Sequence, residues 1–93
     1  MTKAVWKFGP LHIDQPMNVM GRPVYADTSD QNKLYVWCEV DPAWATATSD
    51  EGVYTKVMFV PTGDRYEGKY LMTAKQYHVG MDMNFFWHLI EVE

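Results

Sequence analysis

Ninety-three residues, of which 47% are hydrophobic and 15% aromatic, suffice for one core and leave no room for a second, so the chain reads as a single domain spanning 1–93. Eight Lys and Arg against twelve Asp and Glu give a net charge of -4, the wrong sign for neutralising phosphates, which argues against direct nucleic-acid binding. One cysteine, Cys38, allows no internal disulfide, and no apolar run suits a leader or approaches the roughly 18 to 20 residues of a membrane helix, so the expectation is a reducing cytoplasm and no membrane partner.

The expected elements, in chain order, begin with a strand over residues 4–8. A short strand follows at 23–27, and the polar stretch 27–33 (DTSDQNK) supplies turn chemistry, which makes a hairpin with the next strand. That strand, 34–41 (LYVWCEVD), has the clearest pattern in the chain: Leu34, Val36, Cys38 and Val40 alternate with Tyr35, Trp37, Glu39 and Asp41. It stops at Asp41-Pro42, because proline has no amide proton for a ladder. Residues 43–52 (AWATATSDEG) form a loop carrying Trp44, with space for one short helix. A strand at 53–60 (VYTKVMFV) is closed by the breaker cluster Pro61-Thr62-Gly63-Asp64. A further strand lies within 66–76. The last, 84–92 (NFFWHLIEV), is apolar on both faces, so it is buried on two sides or keeps one side for a partner. The expected fold is therefore mainly β: a small antiparallel β-roll, sandwich or open barrel of about six strands, with at most one short helix.

Five short segments in order, VWKF (5–8), LYVWCEVDP (34–42), PTG (61–63), YEGKYL (66–71) and FFWHLIE (85–91), carry a resemblance. The chain resembles a family of small phage and prophage proteins of unknown function that open with a WK-aromatic signature, carry an LWxxVDP strand in mid-chain and finish on a WH-apolar-x-E strand. A GTGH-like turn is common in that family; here Asp64 follows Pro61-Thr62-Gly63, so no role tied to that histidine carries over. The resemblance implies viral origin and the cytoplasm of an infected bacterium, and it implies no reaction.

The residues themselves point away from catalysis. His12, His78 and His88 with Cys38 show no metal-ligand spacing. Ser29 and Ser49 sit in acidic turns and Cys38 on an apolar strand face, without the base and orienting acid of a nucleophilic centre. The glycines never form GxGxxG or GxxxxGK. Glu39 and Asp41 share a strand face about 7 Å apart by strand rise, and read as a solvated face in preference to an acid–base pair. His88 reads as held by hydrogen bonds at the edge of the core, and His78 as exposed. No enzyme, metal or cofactor is expected.

Binding is the remaining reading. Residues 79–87 are flexible at Gly80 and then crowded with Met and aromatic groups, which adapt in shape and are enriched at protein interfaces. Met81, Asp82 and Met83, with Trp44 on its loop as the leading hot spot, are the candidate contacts. Asp50 and Glu51, with the other turn acids Asp27, Asp30 and Asp64, would steer toward a basic partner. The expectation is a phage accessory protein that binds a host or viral protein, blocking a host factor or an antiviral defence component. Alternatives are a protein sequestering a small ligand such as a nucleotide, and a minor virion or assembly component. A last strand apolar on both faces also suggests a homodimer, by edge or by face.

Overall fold

The structure, a computed structural model, describes residues 2–28, 33–46 and 53–93. The chain is mainly β: two antiparallel sheets pack face to face without closing into a barrel. The strands are β1 (Ala4–Leu11), β2 (Met17–Met20), β3 (Arg22–Thr28), β4 (Leu34–Val40), β5 (Tyr54–Pro61), β6 (Lys69–His78) and β7 (Met83–Glu91). The first sheet has the order β1-β4-β3 and the second β2-β5-β7-β6.

The alternation seen in the sequence at 34–40 is the central strand of the first sheet. Leu34, Val36, Cys38 and Val40 turn inward and are buried, while Tyr35, Trp37 and Glu39 turn out. β3 and β4 form the expected hairpin, with register Arg22↔Glu39 through Thr28↔Leu34. At the end of β4 the Asp41 carboxylate accepts from Ala43 N–H at 3.0 Å and its carbonyl from Trp44 N–H at 2.9 Å, winding Pro42–Thr46 into a short 3₁₀ helix. The facing layer brings Val19, Val57, Phe59, Ala74 and Leu89 onto this face, and Phe59, Leu89, Val36 and Cys38 are wholly inaccessible. Burying a side chain of the Val, Leu or Phe class is worth about 1.5–3 kcal/mol, so this seam holds the sheets together.

β2 was absent from the sequence expectation. It has four residues, of which Val19 alone is fully buried, too short a run for period two to register. Gly21 then turns the chain from one sheet directly into the other at φ +84°; a Cβ there would lie 2.3 Å from the Glu39 carbonyl, so only glycine fits.

β5 and β6 each run antiparallel to β7, which lies between them, so they run parallel to each other and need a crossover. Residues 62–68 supply it across the outer face of β7, where Thr62 Oγ1 sits 2.8 Å from His88 Nε2. Gly68, at φ +126°, brings the crossover so close that a Cβ would sit 2.1 Å from the Glu91 carbonyl. On β7, Leu89 turns into the seam and Ile90 turns outward, yet both are fully buried. The apolar pattern on both faces of the last strand thus has its cause. From Trp87 to Glu91 β7 is hydrogen-bonded on both sides, to β5 and to β6, which closes that stretch of the last strand to the expected edge pairing in a dimer.

Candidate functional site

β6 and β7 continue beyond their neighbour. β5 leaves β7 at Pro61↔Trp87, whereas β6 stays paired with β7 through Lys75↔Phe86 and Tyr77↔Asn84 to His78↔Met83. The hairpin closes through a 3₁₀ turn, Val79–Met81, built by its own residues: His78 Nδ1 accepts from Met81 N–H at 3.3 Å, and Asp82 takes the left-handed conformation at φ 47°. Tyr77 O–H donates to the Asp82 carboxylate, which pushes the Tyr77 hydroxyl pKa above its ordinary value. Below the turn, Phe85 meets His78 edge-on with centroids 5.8 Å apart and stacks on Trp87 at 6.3 Å, and Trp87 Nε1–H donates to Gln76 Oε1 at 2.8 Å. Every polar group in this list serves the hairpin itself. The apolar ones do not: Val79 is 78% exposed, Met81 58% and Met83 44%. Phe86 and Tyr77 are similarly open on the outer face.

Trp44 lies at the other end of the molecule. Its indole is half-buried against the core, and it walls a cleft of about 600 Å³ with Lys3, Arg22, Glu39, Asp41, Lys69 and Glu91. Lys69 and Glu91 pair at the end of β6 opposite to His78, about 30 Å away along a ten-residue strand. Trp44 and the Met81–Met83 segment are therefore not one site. Asp50 and Glu51 lie outside the described residues. In the cleft, the Lys3 ammonium at 3.2 Å and the Arg22 guanidinium at 3.4 Å hold the Glu39 carboxyl below its ordinary pKa. Glu39 is thus occupied by cations and Asp41 by the 3₁₀ turn, which leaves neither carboxylate set up for proton transfer.

His88 is held from both sides. Thr62 donates to the Phe86 carbonyl at 3.2 Å, so its oxygen accepts from Nε2–H at 2.8 Å; Nδ1 then accepts from Thr73 at 2.8 Å, and Thr73 from Tyr70 at 2.6 Å. All four groups are satisfied in one direction, a clasp that pins the crossover to β7 and β6. Cys38 is inert for a related reason: burial pushes its thiol up to about 12. Among the described residues no group of three or more His, Cys, Asp or Glu is placed to hold a metal ion, and no helix is long and apolar enough to cross a membrane.

The outer face of the first sheet was not singled out in the sequence. Tyr25 and Tyr35 lean on Trp37 at 5.4 and 6.4 Å, tilted by 55° and 57°, and the Lys7 ammonium lies 4.0 Å over the Tyr35 ring. Tilted rings capped by a cation do not form a flat stacking platform; they cover the sheet and each other. The signal was available, because Tyr35 and Trp37 occupy the outward positions of the best-patterned strand. No family model matches the chain, and neither a curated protein nor a solved structure matches it.

Proposed function

We propose that this chain is a small phage-encoded accessory protein that works by binding a protein partner through the tip of the β6–β7 hairpin. One observation carries the reading: the tip presents Val79, Met81 and Met83 to solvent, on a turn that its own hydrogen bonds already hold in shape. Met side chains adapt to an apolar groove, and a turn ordered beforehand loses little entropy on docking. The phage origin, and with it the infected bacterial cytoplasm and a host or defence factor as the target, rests on the sequence resemblance. Blocking is the proposed mode of action, with no chemical step.

The test is affinity capture from lysate of the bacterial host with three tagged proteins: wild type, the double variant Met81→Lys and Met83→Lys, and Trp44→Ala. A stoichiometric protein held by wild type and Trp44→Ala and lost from the double variant is expected. Retention by the double variant contradicts the reading. Ligand sequestration is the second reading, favoured by the cleft at Trp44, where an aromatic wall stands beside Lys3, Arg22 and Lys69.

A further inference from the structure

Four strands end the two sheets, and three of them are closed or short. β3 and β6 lie against each other, with Thr28 Oγ1 donating to the Lys75 carbonyl at 3.2 Å, and β2 has only four residues. β1 differs. From Ala4↔Val40 to Phe8↔Val36 it keeps an unbroken register with β4, and among the described residues its other edge pairs with no strand. In an antiparallel ladder every second residue turns its N–H and C=O away from the partner, so this edge presents a row of backbone donors and acceptors.

The side chains along the edge select what would add there. Lys3, Val5 and Lys7 share the outer face, with Val5 59% exposed between two cations. Glu39 holds the Lys3 head at 3.2 Å and the Tyr35 ring holds the Lys7 head at 4.0 Å, so both charges are fixed over the sheet. Each ammonium keeps further protons to donate. On the inner face Ala4, Trp6 and Phe8 pack on the core but stay half-buried. We propose that the β1 edge takes an added strand from a partner protein, one whose outward side chains run acidic, apolar, acidic opposite Lys3, Val5 and Lys7, with apolar residues facing inward toward Trp6. A second copy of this chain crossed at Val5, the register that centres the outward apolar residue, would set Lys3 against Lys7 twice. This surface is independent of the hairpin tip.

The probe is an acetylated, amidated heptapeptide, Thr-Glu-Val-Val-Val-Glu-Thr, with a counterpart carrying Lys for Glu, titrated against the full chain by NMR. The acidic peptide should protect every second amide of residues 4–8 from exchange and bind about tenfold tighter than the basic one. The double variant Lys3→Glu and Lys7→Glu should reverse that preference, Lys3→Gln with Lys7→Gln should abolish it, and Met81→Lys should leave it unchanged. Equal binding of both peptides to wild type, or no shift in these amides, overturns the proposal and leaves the lysines as guards against edge pairing. Dilution-dependent shifts of the same amides without peptide would overturn it in favour of self-pairing.

Discussion

The two ends of the β6–β7 hairpin are made of similar residues in opposite circumstances. Near Lys69 and Glu91 the pair lies beside β5 and under the crossover, and Leu89 and Ile90 have no accessible surface. Near His78 and Met83 the same pair stands alone, with Val79, Met81 and Met83 open to water. Apolar groups at the first end contribute to folding; those at the second make no comparable contribution, so their presence calls for another role. Under the proposed function the difference separates stability from binding along one pair of strands, and it can be broken at several points.

The largest effect belongs to the embedded end. Leu89→Ala should cost about 2–5 kcal/mol in urea unfolding, because the facing sheet cannot collapse into the space. His88→Ala comes next, at about 0.5–1.5 kcal/mol, since it removes the hydrogen bonds that tie the exposed Thr62 and Thr73 hydroxyls to β7; hydrogen exchange should show residues 62–68 loosening before the rest. Alkaline pH probes the seam. The folded thiol of Cys38 ionises only near 12, against 9.0 for an ordinary one, so the unfolded chain loses its proton first. That contribution is complete below the ordinary value and falls away as pH rises through it, by about 1 kcal/mol near pH 10. Tyr25 and Tyr77, raised by Asp27 and Asp82, act in the same direction. Urea unfolding at a series of pH values should show the slope, shallower in Cys38→Ala. The smallest effect belongs to the tip: Met81→Ala should change stability by less than about 0.5 kcal/mol while weakening partner binding. A large stability loss there would erase the distinction between the ends.

What the sequence made legible follows from pattern length. β4 was readable because seven residues alternate without a break, and its proline stop was as plain. β2 was not, because four residues between Pro16 and Gly21 carry no period. The apolar character of β7 on both faces was visible, but its cause was not: the parallel relation of β5 and β6, with the crossover it requires, is a property of strand order that no local pattern contains. Met81 and Met83 stood out by residue type as candidate contacts, and Trp44 was grouped with them by the same reasoning. Their separation to opposite ends depends on which strands lie beside them, as does the cleft that unites Lys3, Arg22 and Lys69 from three distant segments.

The central claim is that the tip, and not the Trp44 end, meets the partner. A photo-crosslinking amino acid placed at position 81 in one protein and at position 44 in another, expressed in the bacterium that the proposed function names as host and irradiated, tests it directly. The account predicts one discrete crosslinked protein from position 81 and none from position 44. Crosslinks arising at position 44, with position 81 silent, would contradict it and move the working site to the cleft.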